Sequence, residues 1–459
     1  MNSISLENST TKEIFLFNWK HAFLIVLFLI SQTINPLVSN IGYLGCIILI
    51  LKGKEYPIKA ITLSVFITFL NPEAFSPASL STALRWGVLF LAFFKAYSKG
   101  HGKQSQWAFF LFAFAVYCIV GSFLHSYSFV TSLFKLISFV IGVLAIERSF
   151  ANCRHYNYTS WFYTLFIVCL VLSLPLIIHL LGYVRKGRGF QGILSHPNAF
   201  GIYMAPFIGW VLLGTMFEKS RNKKIFLYIL GLVGIGTLIA SESRTSVFAS
   251  IIAILFSIFL QLQKKNFRQS RPIVKIQKIL LFITLIFSIV ILLFPDNIIF
   301  KKFSEFAIKS QNVEDIGVQE ALLKSRSELI DLSMKKFKEH PFLGNGFGMP
   351  SEREMLNTQF VLGIIPIASA IEKGFLVTAV LEETGVIGFL LVVFFIASYY
   401  AIINKTNAVY FSVMFWTSIA VTLGEMVFFA AGGLGLQIFL IMGFARNYSI
   451  VTVYKEKYE

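Results

Sequence analysis

Residues 107–124 read WAFFLFAFAVYCIVGSFL, a run without a single charged side chain. A helix needs about 20 mostly apolar residues to cross the hydrocarbon core of a bilayer. Residues 161–181 form a second such run, and residues 375–399 form a third that only a pair of glutamates interrupts. Several runs of this length in one chain predict an all-α fold, a polytopic transmembrane helical bundle.

The composition points the same way. Hydrophobic residues make up 56% of the chain and charged residues 14%, which is too apolar for a soluble domain of this length. The net charge of +17 does not indicate a nucleic-acid partner, because the Lys and Arg residues lie mainly in short connections between apolar runs. The four cysteines are scattered through the apolar runs, so they indicate neither a disulfide framework nor a metal cluster.

Hydropathy predicts about fourteen membrane spans. They lie at residues 21–35, 37–51, 58–70, 83–98, 107–124, 129–146, 161–181, 198–217, 225–240, 246–263, 278–294, 376–402, 407–423 and 427–445. Alternate connections are rich in Lys and Arg, and the positive-inside rule makes that side cytoplasmic. Both chain ends are predicted on this side, with Arg446 just after the last span. We expect a multi-pass membrane protein with both ends on the cytoplasmic side.

The predicted organisation has five parts. A cytoplasmic N-terminal tail covers residues 1–20, and the first part of the bundle covers 21–294. Residues 295–375 form one large extracytoplasmic loop with short helices, 376–446 the last membrane helices, and 447–459 a cytoplasmic C-terminal tail. Within the loop, the apolar spacing of residues 318–338 predicts an amphipathic helix.

Two short connections on the predicted outer side carry cations against the topology rule. Arg185, Lys186 and Arg188 lie in one, and Arg244 lies in the other. Arginines beside a helix N-terminus can bind phosphate oxygens. The alternative for Arg188 is contact with lipid headgroups, and the alternative for Arg244 is a structural ion pair with Glu242.

Carboxylates also occur at or near membrane depth, where an unpaired charge is costly. Glu372 and Lys373 precede a predicted helix, and Glu382 and Glu383 lie two to three turns into it. One carboxylate can act as a general base on a sugar hydroxyl; the alternative is an ion pair with Lys373 or with an arginine. Glu425 is another candidate at membrane depth, for which the sequence indicates no partner.

Several motifs are missing from the sequence. There is no glycine-rich phosphate loop ending in Lys-Ser/Thr, no HExxH motif, no cysteine-histidine cluster and no DxD pair on the outer side. An ATP-driven pump, a metal-dependent hydrolase and a nucleotide-sugar transferase are therefore disfavoured. We expect no metal and no cofactor.

Four stretches resemble a known superfamily in their order and spacing. They are GRGFQGILSHPNAFGIYMA, SESRTSVFASIIAIL, SRSELIDLSMKKFKEHPFLGNGFG and EKGFLVTAVLEETGVIGFLLV, within residues 187–392. The superfamily is that of O-antigen ligases and of O-antigen or exopolysaccharide polymerases. Each stretch is weak by itself, whereas four in this order around one long loop are fairly specific.

The resemblance implies a metal-independent glycosyltransferase whose donor is an oligosaccharide linked to undecaprenyl diphosphate. By similarity, Arg188 and Arg244 would bind the donor diphosphate, and Arg326 would assist from the loop. Lys186, His196, Asn198 and Lys373 would support this site. A flippase and a chain-length regulator would be its protein partners.

The chain departs from the superfamily at one place. Its ligases generally have a His-Asn pair shortly before the Glu-Thr-Gly stretch, and this chain has Glu372-Lys373-Gly374 there. Glu372 is the natural substitute as base, with Glu383 as its competitor. The missing histidine favours a polymerase over a ligase that acts on lipid A core or protein. A polysaccharide or lipid flippase is the alternative from another class, and the chain shows no internal halves of the kind that transporters have.

Overall fold

A computed structural model describes residues 15–76, 81–97, 106–153, 156–185, 188–263, 327–356, 358–361, 365–368, 373–406, 408–430 and 432–458. Its α-helices are α1 (Trp19–Ile34), α2 (Pro36–Lys52), α3 (Tyr56–Phe66), α4 (Ser81–Tyr97), α5 (Gln106–His125), α6 (Phe129–Asn152), α7 (Thr159–Ser173), α8 (Pro197–Phe217), α9 (Arg221–Ala240), α10 (Arg244–Leu262), α11 (Ser327–Glu339), α12 (Leu376–Ile403), α13 (Val409–Leu423) and α14 (Gly433–Tyr458). Short 3-10 turns follow α3 and α7.

Among the described residues, seven helices are long and apolar enough to cross a membrane. They are α5, α6, α7 with its following turn, α8, α9, α10 and α12, and the shorter apolar helices α1, α2, α3 and α13 accompany them. The prediction of an all-α polytopic membrane protein is confirmed. The predicted span at residues 278–294 lies outside the described residues.

Some helices begin at a residue whose side chain caps them. Asn35 accepts a hydrogen bond from the Val38 N–H, and Pro36 occupies the first turn of α2. His196 caps α8 in the same way, by accepting from the Asn198 N–H, and Pro197 follows it. Proline costs nothing at this position because its missing N–H would have no helical partner.

The last helix differs from its prediction. It begins at Gly433 rather than at residue 427, since residues 424–430 turn between α13 and α14, and it continues to Tyr458. The prediction that Arg446 follows the last helix is therefore wrong. Arg446 is buried within α14, and its Nη1 lies 2.7 Å from Glu147 Oε2. The guanidinium also lies over the rings of Trp107 and Tyr399, which keeps the charge inside the bundle.

We call one end of the bundle the loop end. It carries the connection after α3, the connection before α8 and the connection between α5 and α6. Leu70 forms a bridge with Leu194, which joins the connection after α3 to the one before α8. The His125 ring, at the end of α5, stacks on the His340 ring just after α11, with 3.9 Å between the ring centroids. The described part of the long segment therefore packs at the loop end. That this end faces outward remains a prediction.

Two small hairpins accompany the helices, and the sequence did not indicate them. Strands β1 (Tyr183–Arg185) and β2 (Arg188–Phe190) pair antiparallel before α8. Strands β3 (Thr358–Val361) and β4 (Ile365–Ala368) pair in the long segment, and β4 contacts α6. Strands of three or four residues are too short for a reliable period-two pattern. Helix α11 agrees with the second half of the predicted amphipathic helix; residues 318–326 lie outside the described residues.

Candidate functional site

The first polar region at the loop end is built around the start of α8. A Cβ atom on Gly189 of β2 would lie 3.0 Å from Pro197 Cγ, so the strand that begins with Arg188 lies against the first turn of α8. Strand β2 also contacts α9. Gly189 has φ +66, which glycine adopts without steric cost. The side chain of Arg188 lies outside the described part of the structure.

The turn between α9 and α10 reaches the same place. Gly201 of α8 packs directly against the side chains of Ser243 and Ser246, whose hydroxyl oxygens lie 2.9 Å apart. Arg244 is the first residue of α10 and is half-buried. The turn holds Glu242 at φ +55 with an exposed side chain.

The connection between α13 and α14 completes this region. Gly424 packs against the Thr245 side chain, one residue beyond Arg244. Asn198 Nδ2 donates a hydrogen bond of 2.8 Å to Glu425 Oε1. Asn198 is therefore one partner of Glu425, a residue for which the sequence indicated none.

We call this region the α8 site. It consists of β2, the first turn of α8, residues 241–245, and Gly424 with Glu425. The N-termini of α8 and α10 both lie here, and each carries about half a positive charge from the helix dipole. Together with Arg244, they make the site suitable for an anion such as a phosphate.

The second polar region lies where α12 is broken. Gly385 has φ +66 and ψ −174 inside the helix, and the chain kinks there. The loop of residues 341–349 lies across the kink and bonds to the backbone that the kink frees. The Asn345 N–H donates to the Glu382 carbonyl at 2.8 Å, and the Val386 N–H donates to the Pro341 carbonyl at 2.9 Å. We call residues 382–386 with this loop the α12 break.

The α12 break fits together only with glycine at particular positions. Gly344 and Gly385 both have positive φ, and a Cβ atom on either would collide with the backbone of the opposing segment. Three glycines of this loop, Gly344, Gly346 and Gly348, recur at every second position. All three have positive φ, and the loop docks on α12 and α6 rather than standing free.

Four charged side chains are gathered at the α12 break. Lys373 Nζ lies 2.9 Å from Glu383 Oε1 and 3.3 Å from Glu382 Oε1. Glu383 Oε2 accepts a 2.7 Å hydrogen bond from the Gly348 N–H, and Lys135 Nζ donates to the Gly348 carbonyl at 2.5 Å. The ion pair with Lys373, one of the two alternatives for these carboxylates, is present.

Sequence reasoning missed Lys135. It lies two turns into α6, in the apolar run FVTSLFKLISF. The rule that singled out Glu382 and Glu383, a charge inside an apolar span, applies equally to this lysine. Lys135 is therefore as visible in the sequence as the two glutamates.

The structure distributes the predicted site residues over both regions. Arg244, His196, Asn198 and the backbone of Arg188 meet in the α8 site. Lys373 and Glu383 meet at the α12 break. Glu372, Arg326 and Lys186 lie outside the described residues. The catalytic and binding roles of all these residues remain predictions.

Within the described residues, no three side chains of the His, Cys, Asp and Glu types come together as a set that could hold a metal ion. The four cysteines are buried separately and unpaired with one another.

The fold and these two regions define a class: an all-α polytopic membrane protein with a cation-bearing polar site at the loop end of its bundle. Residues 228–393 match the family model described as O-antigen ligase. The matched range runs from α9 into α12 and includes both Arg244 and the α12 break. No curated protein matches the chain. The predicted resemblance is confirmed over this range, which supports a membrane glycosyltransferase of the ligase or polymerase type.

Proposed function

We propose that this protein is an integral membrane glycosyltransferase that polymerises oligosaccharide repeat units linked to undecaprenyl diphosphate. The growing chain would pass from its lipid carrier to a hydroxyl of the next repeat unit. The product would be a surface polysaccharide, assembled at the outer face of the bacterial cytoplasmic membrane. This assignment is finer than the family match, which covers both polymerases and ligases.

One observation carries the proposal: two arginine-bearing segments converge on the first two turns of α8. Strand β2 begins with Arg188 and contacts α8. Arg244 is the first residue of α10 and follows Ser243, whose side chain packs on Gly201 of α8. Two helix N-termini add to the positive potential. A diphosphate carries the negative charge that such a site stabilises, and a sugar lipid without diphosphate would make no use of it.

The chemistry needs mainly stabilisation of the leaving group. An acceptor hydroxyl attacks the anomeric carbon, the bond to the diphosphate oxygen breaks, and charge builds up on that oxygen. Preorganised cations at that oxygen stabilise the transition state, which is often the largest single contribution to an enzyme's rate. Arg244 and Arg188 would supply them, and Arg326 would assist from the long segment.

The second candidate is a ligase that transfers the finished glycan to lipid A core or to a protein. The description of the matched family as O-antigen ligase favours it. The two functions share the donor and differ only in the acceptor. The absence of a His-Asn pair before Glu382-Glu383-Thr384-Gly385 is the reason why we favour the polymerase.

The test uses the purified full-length protein in lipid vesicles with an undecaprenyl-diphosphate-linked repeat unit. A polymerase releases undecaprenyl diphosphate and gives a ladder of chain lengths with no other acceptor. A ligase releases it only when lipid A core or an acceptor protein is added. A flippase moves the lipid across the bilayer and releases none, and this last outcome would refute the proposed function.

A further inference from the structure

We propose that Glu425 is the catalytic base of this transfer. Its carboxylate would take the proton from the acceptor hydroxyl as the hydroxyl oxygen bonds to the anomeric carbon. The bond between that carbon and the diphosphate oxygen breaks at the same time, and the electron pair leaves with the diphosphate. This inference rests on the proposed function and adds a residue to it.

The position of Glu425 is the first argument. It lies in the connection between α13 and α14, at the loop end, and is half-buried, so a ligand can reach it. Its neighbour Gly424 packs on Thr245, which follows Arg244 in the chain. A carboxylate is thereby held beside the segment that would bind the diphosphate.

The orientation of the carboxylate is the second argument. Asn198 lies in the first turn of α8, and its side-chain amide donates to Glu425 Oε1. The same turn of α8 contacts β2, the strand that begins with Arg188. The first turn of α8 therefore contacts both Glu425 and β2. A base must come within about 3 Å of the hydroxyl oxygen whose proton it removes.

The other described candidate for the base, Glu383, is far more deeply buried than Glu425. Glu383 is 3% exposed, and its two carboxylate oxygens are engaged by Lys373 and by the Gly348 N–H. Its neighbour Glu382 is 0% exposed. A base has to touch the acceptor hydroxyl, and for these two residues the docked loop would first have to leave α12.

The experiment replaces Glu425 with glutamine in the full-length protein. Glutamine has nearly the same shape, and its carbonyl oxygen can still accept from Asn198, but it cannot take a proton. We expect kcat for diphosphate release to fall by about 10²-fold or more, the usual contribution of a general base. The KM for the lipid-linked donor should stay within about threefold of the wild-type value, because uniform binding of the donor is unchanged.

The matched control is Glu73→Gln, which removes an exposed carboxylate from the connection after α3 at the same end of the bundle. Its kcat should equal that of the wild type. Two further measurements separate a base from a structural residue. The rise of kcat with pH that a base imposes should be absent in Glu425→Gln, and added formate should restore part of the rate of Glu425→Ala.

Three outcomes would overturn the inference. They are a kcat for Glu425→Gln close to that of the wild type, a loss that appears only in KM, and a folded, donor-binding Glu425→Ala that formate does not rescue. If Glu425→Gln fails to fold, Glu425→Asp takes its place. Its shorter side chain draws the carboxylate away from the acceptor hydroxyl, so a kcat equal to that of the wild type would count against the inference. A wild-type protein that releases no diphosphate refutes the proposed function instead, so the two failures are distinguishable.

Discussion

The α8 site and the α12 break both collect charged side chains at the loop end, yet they differ in burial and in charge balance. Arg244 and Glu425 are half-buried in the α8 site. At the α12 break, Lys373 is 2% exposed, Glu382 0% and Glu383 3%. Lys373 lies between these two carboxylates, and Lys135 donates to the carbonyl of Gly348, whose N–H donates to Glu383.

The difference indicates which charges hold the fold and which can meet a ligand. A buried ion pair recovers its cost of desolvation only when each charge keeps its partners, so a ligand that took one of them would leave the other unpaired. Half-buried charges beside helix N-termini keep part of their hydration and can exchange it for a ligand. We therefore assign stability to the α12 break and substrate contact to the α8 site.

The largest effect should come from Gly385→Ala at the α12 break. The new Cβ atom would collide with the Phe342 carbonyl, and φ +66 disfavours alanine. We expect no folded protein in the membrane, as measured by detergent-solubilised yield and by size-exclusion profile. Gly236→Ala in α9, where a Cβ atom would meet nothing within 4 Å, should accumulate normally. Normal accumulation of Gly385→Ala would mean that the kink does not require glycine.

The next largest effect should be that of Lys373→Met. This change leaves two buried carboxylates without their shared cation, and breaking a buried pair costs about 3–5 kcal/mol. Thermal unfolding in detergent should show the loss, while the remaining folded protein should still release diphosphate. Lys223→Met, at an exposed position of α9, is the control. A stable but inactive Lys373→Met would mean that Lys373 acts in the reaction rather than in stability, and the division between the two regions would be wrong.

Arg244→Ala should have the opposite signature. Loss of one preorganised charge at a leaving group reduces kcat by about 10²–10³-fold, whereas a half-buried side chain contributes little to stability. Diphosphate release and thermal unfolding, measured on the same preparation, should show the activity lost and the fold kept. The control is Arg221→Ala, at the exposed start of α9. Near-normal chain lengths of the polysaccharide made by Arg244→Ala would contradict the proposal that the α8 site binds the diphosphate.

The smallest effect should be that of Lys336→Ala on α11. Lys336 Nζ lies 3.0 Å from Glu339 Oε2 at a partly exposed surface, where such pairs contribute about 0–1 kcal/mol. Neither unfolding temperature nor kcat should change measurably. A large loss of activity would place the exposed face of α11 in contact with substrate and would add a third functional region.

Much of the fold could be predicted from the sequence because a membrane helix can be recognised from its own run of about 20 apolar residues. The apolar runs give most of the described helices to within a few residues. Helix α6 extends six residues beyond its predicted end at 146, and the last helix differs at both ends. Arg446 shows the limit of this method. A charge marks the end of a span in hydropathy, unless a distant partner such as Glu147 compensates it.

Only some of the charged residues of the two polar regions could be recognised from the sequence. Arg188 and Arg244 were conspicuous because they break the topology rule, and Glu382 and Glu383 because they interrupt an apolar helix. Lys135 broke the same pattern and was missed, and Glu425 had no indicated partner. The residue that pairs with Glu425, Asn198, is 227 positions away in the chain, a separation across which no local pattern extends.

The sequence by itself determined that this chain is a helical membrane bundle and which charges are unusual in it. The reason is that the apolar length and the charge of each segment decide, independently of other segments, whether it is stable in lipid. Only the tertiary structure decided how those charges divide: Glu383 with Lys373 under a docked glycine loop, Glu425 with Asn198 beside Arg244. Pairing depends on which helices pack together and where a backbone kinks, and both are consequences of contacts between distant residues.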